Sequence, residues 1–499
     1  MRKPGPLIFP LSAAHITGLL ALQAAVALAF ISPTLAALPL AGFCAICLAA
    51  PFFPSFAFYL PVISRGKGAG NAVALTFDDG PDPAVTPLLL DLLARENTKA
   101  AFFITGENAL RHPETVKMII ANGHEIGNHS LDHDTLLMLR RARRLGKNIR
   151  DAREIFKSEF GILTLAFRPP VGITNPLLWG ELLRMGMLCV TFSGRAYDGI
   201  AGRTAGMAGK ILGRLAPGDI IVLHDRRPAG EEKPGTWLEE VGKIIRGIRE
   251  KGLETAPLSE LLGRDIMRPY CPGDPEPGPA ELFYDSLAPD YDREQLHSGV
   301  SFARRREMEI VLPRMREIFA GTGRVLEVGA GTGLYSLPLA ELCRELVAVD
   351  VSGRMLAKLR EKAESSAIGN ISAVRGDIER MSLEENFDFV CSFSSFEYVG
   401  DLPGLFRKLY ACLNEGAVIY FTTARRGFFR LFTQLGNACR QGIWLRARTE
   451  REIRDSLTEA GFAVTGISSH VLKSAFTGGM LLEVTARKKS AGQDPENKD

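Results

Sequence analysis

Residues 4–64 hold not one Lys, Arg, Asp or Glu. A charge-free run of that length does not form the solvated surface of a globular domain. A hydrocarbon core takes about 20 apolar residues per helical span. The stretches Leu11–Ile31 and Leu35–Phe56 each reach that length, with Ser32-Pro33-Thr34 turning the chain between them. The expectation is a membrane hairpin over residues 1–66, two transmembrane helices in contact with membrane lipid. A cleaved signal peptide also sets basic residues before an apolar run, but this run is far longer than one such peptide. Arg2 and Lys3 precede the hairpin, Arg65 and Lys67 follow it, and the turn carries no charge. Positively charged flanks stay in the cytoplasm. The chain beyond Lys67 is therefore expected on the cytoplasmic side of the inner membrane, behind a multi-pass anchor. Cys44 and Cys47 lie inside the apolar run and read as small apolar residues rather than a metal or redox pair.

A chain of 499 residues exceeds one ordinary domain. Its net charge of +3 gives no reason to expect a nucleic-acid partner. Its scattered cysteines imply no disulfide framework. From Asn71 to Gly263 short β-branched runs alternate with amphipathic stretches: Val73–Phe77 reads as a buried strand, Thr86–Arg95 as a helix, Ala100–Ile104 as the next strand. Such alternation implies a parallel sheet or barrel. Residues 67–266 form this α/β domain, 267–281 a Pro/Gly-rich linker, 282–488 a second α/β domain and 489–499 a disordered polar tail. Nothing in the sequence specifies an oligomeric state.

Thr76-Phe77-Asp78-Asp79-Gly80-Pro81 sets two adjacent carboxylates where a strand gives way to a turn. One carboxylate there is free to bind a metal while the other activates water. His129-Ser130-Leu131-Asp132-His133 spaces two imidazoles four residues apart, on one face of a helical turn, as metal ligands often are. Two His and one carboxylate leave open coordination positions, as a catalytic site requires.

With RPPVG at 168–172 and VLHD at 222–225, these motifs follow in an order that resembles the polysaccharide deacetylase (NodB-homology) family, over residues 71–263. The resemblance implies a distorted (β/α) barrel. It implies Asp79, His129 and His133 as ligands of a divalent metal, usually zinc, Asp78 as general base and His224 as general acid. Arg168 would orient Asp78. The family's Asp-Trp motif near the acid histidine has Tyr197-Asp198-Gly199 as its counterpart here, with no Trp, and Val222 stands where a leucine is usual. Asp198 is the candidate partner of His224. Between these motifs RRARRLGKNIR (140–150) reads as a basic helix, either a solvated face or a surface for anionic headgroups or a substrate diphosphate.

Val325-Leu326-Glu327-Val328-Gly329-Ala330-Gly331-Thr332-Gly333 is a strand running into a glycine-rich turn. Glycines let the backbone approach a ligand, and the following helix start offers amide donors. The next strand ends in Asp350, where a ribose diol is usually bound, and Asp377 follows one βα unit later. With ELFYDSLAPDYD (281–292) and FDFVCSFSSFEYV (387–399), this stretch resembles the Rossmann-like class I S-adenosylmethionine-dependent methyltransferases. The resemblance implies Glu327, Gly329, Gly331 and Gly333 at the methionine end of S-adenosyl-L-methionine, Asp350 at the ribose, and Asp377 with Ile378 at the adenine. No residue stands out as a base for methyl transfer. The basic, aromatic stretch 424–448 is either a lid over an acceptor or packing on the sheet. Together the readings point to a membrane-anchored enzyme that removes an acyl group from a lipid- or nucleotide-linked glycan precursor and methylates in the same pathway. A scaffold or glycan-binding module is the alternative.

Overall fold

The computed structural model describes residues 12–66, 70–196, 198, 204–226, 235–272, 278–297, 302–319, 321–383, 386–427, 445–470 and 479–489. Arg2, Lys3, Lys67, Tyr197, Gly199, residues 273–277 of the expected linker, the centre of the 424–448 stretch and nearly all of the tail lie outside them. The chain divides near Gly278 and Pro279 into two compact units.

In the first unit two apolar helices, α1 (Ala13–Ala29) and α2 (Pro33–Ala49), pack against each other. Among the described residues one helix is long and apolar enough to cross a membrane, Pro33–Phe52. The first expected span is a helix of 17 residues, about 26 Å at 1.5 Å per residue and shorter than a hydrocarbon core of about 30 Å. The expectation of two full spans is corrected to one helix of spanning length beside a shorter apolar helix.

Among the described residues ten strands follow: β1 (Ala72–Asp78), β2 (Ala101–Ile104), β3 (Glu125–Asn128), β4 (Ile162–Thr164), β5 (Ala166–Phe167), β6 (Leu188–Cys189), β7 (Gly194–Arg195), β8 (Ile220–His224), β9 (Glu254–Thr255) and β10 (Met267–Pro269). The parallel sheet runs β6-β5-β3-β2-β1-β8-β7, with β9 beside the start of β1. Its two edges, β6 and β7, are joined by Val190–Ser193 alone. Seven flat strands at about 4.8 Å spacing would separate those edges by about 29 Å. Five Cα steps reach about 18 Å at most, so the sheet has to curl. The outcome is the expected distorted barrel.

Side chains alternate between its faces, as strand geometry requires. Val73, Leu75 and Phe77 pack outward beneath helices that include Thr86–Arg95 and Gly235–Glu250, while Ala74, Ala101, Phe103 and Ala166 fill the narrow inside. Met267–Pro269, expected as the start of the linker, pairs antiparallel with β4 and belongs to this unit.

The second unit has the strands β11 (Thr322–Val328), β12 (Cys343–Asp350), β13 (Ile371–Arg375), β14 (Phe387–Phe393), β15 (Leu413–Ala424), β16 (Phe462–His470) and β17 (Leu481–Lys488). Their order is β13-β12-β11-β14-β15-β17-β16, parallel except for β17, which runs antiparallel to both neighbours. Strand order reverses between β11 and β14, and a crevice opens beyond the carboxyl ends of strands at such a switch point. The 329–333 turn leaves β11 there. The segment expected to cap it forms two helices, Pro279–Leu287 and Tyr291–His297.

Candidate active site

Parallel strands bring their carboxyl ends to one rim. Asp78 ends β1 level with His224, which ends β8. Asn128 ends β3 in register with Phe167 of β5, so His129 and Arg168 follow side by side. Asp78 points into the barrel, buried, and accepts a 2.6 Å hydrogen bond from Arg168 Nη1. Arg168 is wholly buried over the Phe103 ring and also donates to Thr76 Oγ1, Val190 O and Thr191 O. With four acceptors fixed, its guanidinium cannot swing, and Asp78 is held in one orientation.

Asp79 leaves the strand with φ 72°, which turns its carboxylate away from that of Asp78. Its Oδ1 lies 3.1 Å from His133 Nε2 and 3.5 Å from His129 Nε2. The two imidazoles do not reach it from a helical turn, as the four-residue spacing suggested. Residues 129–134 form an irregular loop, with Ser130 at φ 73° and His133 at φ 52°. Side chains hold that loop: Asn128 Oδ1 accepts from Ser130 N–H, Ser130 Oγ from His133 N–H and Asn148 Oδ1 from Leu131 N–H.

The Asp79, His129 and His133 ligand atoms all lie within 4.8 Å of one another. Asp79 Oδ1 is buried without a hydrogen-bond donor, a costly state for a carboxylate unless a cation faces it. His129 Nδ1 sits 2.8 Å from Arg168 O. That contact fixes the proton on Nδ1 and leaves the Nε2 lone pair toward Asp79, as a ligating histidine requires. The donor set thus fits a divalent metal. Burial alone would raise the Asp79 carboxyl, but the facing His129, His133 and His224 imidazoles pull it well below the usual carboxylate range. Burial holds His133 below the ordinary imidazole value, against the pull of Asp79.

Across the rim His224 Nδ1 is 2.8 Å from Asp198 Oδ1, and Asp198 Oδ2 accepts from the His224 backbone N–H at 2.9 Å. Burial opposes the imidazolium, yet the Asp198 hydrogen bond and charge outweigh it and raise the His224 pKa. The same contacts overcome the effect of burial on Asp198 and lower its pKa. The tryptophan missing beside Asp198 in the sequence is supplied from elsewhere: Trp237, in the Gly235–Glu250 helix, donates its indole N–H to Asp198 Oδ2 at 3.1 Å. No local spacing signals a contact across 39 residues. Val222 is a buried residue of β8, paired with Thr76.

Three more residues, assigned no role from the sequence, join the site. Asn108 donates to Asp79 O at 2.8 Å, and Arg226 Nη1 lies 3.4 Å from Asp79 Oδ2. Asp225, next to His224, is fully buried against Gly80 and accepts from Thr86 Oγ1, and burial pushes its carboxyl up to about 7.

In the second unit Gly329, Gly331 and Gly333 have φ of 79°, 57° and 88°, a region that favours glycine. A Cβ on Gly331 would meet nothing within 4 Å, whereas one on Gly329 would lie 2.3 Å from Ser395 Cβ. The turn therefore leaves open space above Gly331. Glu327 is buried beneath it with Oε2 unpartnered, and burial pushes its carboxyl up to about 8. Asp350 accepts from the N–H groups of Gly331 and Ser352, and burial pushes it up to about 6. Asp292 from the capping helices accepts from Thr332 Oγ1, and Asp285 from Ser352 Oγ. Asp377 Oδ1 accepts from Glu379 N–H, and Ile378 is buried beside it. The open turn and the unpartnered carboxylate oxygen beneath it fit a cationic, nucleoside-bearing cofactor.

Three side chains placed to hold a metal, flanked by an Arg-held carboxylate and an Asp-held imidazole, give the first unit the form of a hydrolase site on a curled parallel sheet. Residues 65–190 match the family model for polysaccharide deacetylase, and residues 325–416 that for a methyltransferase domain. A peptidoglycan-N-acetylglucosamine deacetylase of Bacillus cereus is 32% identical over 192 residues, 38% of this chain and 87% of the relative. A chitooligosaccharide deacetylase of Bradyrhizobium sp. (strain ANU 289) is 29% identical over 215 residues, 41% of this chain and 98% of that protein. A solved peptidoglycan N-acetylglucosamine deacetylase, in complex with an N-oxidanyl-benzamide, matches at 30% identity and a TM-score of 0.38, over 42% of this chain and 95% of its own. The chain belongs to the polysaccharide deacetylase family. It is a carbohydrate deacetylase that also carries a methyltransferase domain.

Proposed function

We propose that the first unit hydrolyses the N-acyl group of an amino sugar, with Asp79, His129 and His133 holding a divalent metal, zinc by the nature of the donor set. The observation that carries this is the buried, unpartnered Asp79 Oδ1 facing two imidazole nitrogens, with a base and an acid on either side. A bound ion supplies the charge that polarises the acyl carbonyl and acidifies water. Asp78, oriented by Arg168, takes a proton from water as its oxygen adds to the acyl carbon. His224, kept protonated by Asp198, gives a proton to the sugar nitrogen as the carbon–nitrogen bond breaks. A carboxylic acid and a free amine leave. The two relatives bear names of N-acetylglucosamine and chitooligosaccharide deacetylases, which supports an N-acetylated glucosamine unit as substrate.

The second unit transfers a methyl group from S-adenosyl-L-methionine. Glu327 and the 329–333 turn would hold the methionine end, Asp350 the ribose, and Asp377 with Ile378 the adenine. Joining the two activities in one chain supports a shared pathway. The charge-free N-terminal region and the basic Arg65 and Lys67 that follow it support a membrane anchor with both units on the cytoplasmic side. A cytoplasmic site meets lipid- or nucleotide-linked precursors rather than finished polymer outside.

The test measures acetate release and bound metal together, on full-length protein given N-acetylated oligosaccharide and lipid-linked sugar. Wild type should bind about one metal ion per chain and release acetate. Asp79→Ala and His129→Ala should lose metal and activity in step. Metal-loaded wild type that releases no acyl group from any of these substrates would leave the scaffold reading standing instead.

A further inference from the structure

The deacetylase rim carries apolar surface that no substrate-facing role explains. Leu139 is 81% exposed and Leu136 53%, on the loop that leaves His133. Val171, in the loop after Arg168, is 51% exposed, and Leu177 follows it. Phe52 and Phe53, at the end of the spanning helix, are 68% and 59% exposed. Scattered exposed leucines need no explanation, but a contiguous apolar patch does.

These residues belong to one surface. Pro54 O accepts from Thr191 Oγ1, and Pro54 packs on Gly172. Thr191 O in turn accepts from Arg168, which holds Asp78. Asn175, one residue from the helix that carries Leu177, donates to Met138 O. Leu137 and Met138 share a buried cluster with Ala50, Phe58 and Leu60. The end of the apolar helix is therefore built into the mouth of the site.

Charge borders the same patch. Arg141, Arg143 and Arg144 start the Ala142–Phe160 helix, whose first turn has no acidic residue. All three are exposed, and none makes an ion pair among the described residues. A helix start is the positive end of the dipole and disfavours cations. Arg144 feels the charge of Asp134, but Arg141 and Arg143 have no carboxylate within ion-pair distance among the described residues, and an anionic surface would draw all three.

We propose that this rim seats on an anionic phospholipid leaflet, with Leu136, Leu139, Val171 and Phe52 at acyl-chain depth and the arginines among the headgroups. The site mouth then opens at the membrane surface and takes its sugar from a carrier lipid in that leaflet. This deepens the function proposed above and rests on it for the reaction, though not for the docking.

The experiment places a reporter on the rim of the full-length chain, in nanodiscs containing brominated phosphatidylglycerol. Leu139→Trp is compared with Met118→Trp, which lies on the helix leading into the start of β3, at the opposite end of the barrel. Quenching of the first should exceed that of the second by about twofold or more, and adding Arg141→Glu with Arg143→Glu should reduce it. Equal quenching at the two positions overturns the proposal, as does quenching at position 139 that ignores the charge reversal. Acetate release from a soluble N-acetylated oligosaccharide reports that each variant is folded. Wild type lacking that activity would sink the deacetylase reading, while the quenching result would still decide the docking.

Discussion

Replacing Asp198 by Asn keeps the shape of its side chain and removes one negative charge and one acceptor. Asp198 accepts three N–H groups: His224 Nδ1, the His224 backbone and Trp237 Nε1. An amide offers one oxygen, so at least one of these buried donors must face an NH2 group, at about 1–3 kcal/mol. If the amide nitrogen turns to Nδ1, the imidazole is held neutral and is a poor acid. If the oxygen stays there, the imidazolium still loses its counter-charge. Two unit charges about 4 Å apart in an effective dielectric of about 20 interact by about 4 kcal/mol, which is an upper bound here. Solvent at the half-buried imidazole reduces this, and the His224 pKa is expected to fall. The acid must be protonated to act, so activity is present below the His224 pKa and lost as pH rises through it. Asp198 raises that pKa, so the alkaline limb of kcat should lie above the ordinary imidazole value of about 6.5 in wild type and move down in Asp198→Asn. Near pH 8 kcat should fall about 100-fold, about 2.7 kcal/mol of barrier, with KM changed by less than about threefold. The assay is acetate release between about pH 5 and pH 9 on metal-loaded protein, with bound metal measured in parallel. An unchanged alkaline limb, with kcat within about threefold of wild type, would show that Asp198 is an ordinary turn residue.

His124 makes stability depend on acid. It is buried against Phe102 and its Nδ1 accepts the Ala100 N–H, and burial, with Lys99 nearby, pushes its pKa down to about 4. The folded protein keeps it neutral while the unfolded chain protonates near 6.5. Its stabilisation is thus complete above about pH 6.5 and is lost as pH falls toward 4, about 2–3 kcal/mol in all. Chemical denaturation of wild type and His124→Gln across that window should converge at the acidic end, and parallel curves would refute the assignment. Arg168→Lys should retain metal but lower kcat about 100-fold, because an ammonium cannot reach Thr76, Asp78, Val190 and Thr191 together. Full activity with that lysine would mean Asp78 needs no such clamp. Gly331→Ala costs backbone strain of about 1–2 kcal/mol and should weaken S-adenosyl-L-methionine about tenfold by calorimetry, since its methyl enters open space above the turn. Gly329→Ala adds overlap with Ser395 and should destabilise the second unit by about 3 kcal/mol. Equal behaviour of the two glycine variants would contradict the open-turn geometry.

The deacetylase chemistry was legible in the sequence because its residues sit at fixed offsets from strand ends. Asp78 and Asp79 close β1, His129 follows β3, Arg168 follows β5 and His224 closes β8, and parallel strands bring those ends to one rim wherever the sheet forms. The same logic made the 329–333 turn legible after β11. Local readings failed where the backbone leaves its regular states. A four-residue histidine spacing suggests a helical turn, but the positive φ of Ser130 and His133 builds a loop that only side-chain hydrogen bonds hold. The apolar N-terminus was legible as composition, yet how much of it forms an unbroken helix was set by where the turn at Ser32 and the ending near Phe52 fall. Contacts between residues remote in the chain emerge only in the folded molecule. Trp237 takes the place of a tryptophan absent beside Asp198, Thr86 meets Asp225, and Pro54 ties the apolar helix to the Arg168 clamp. Sequence periodicity reports which face of an element is buried. Which remote side chain meets that face depends on how the sheet curls, and the short link from Cys189 to Gly194 imposes that curl only once all the strands are paired.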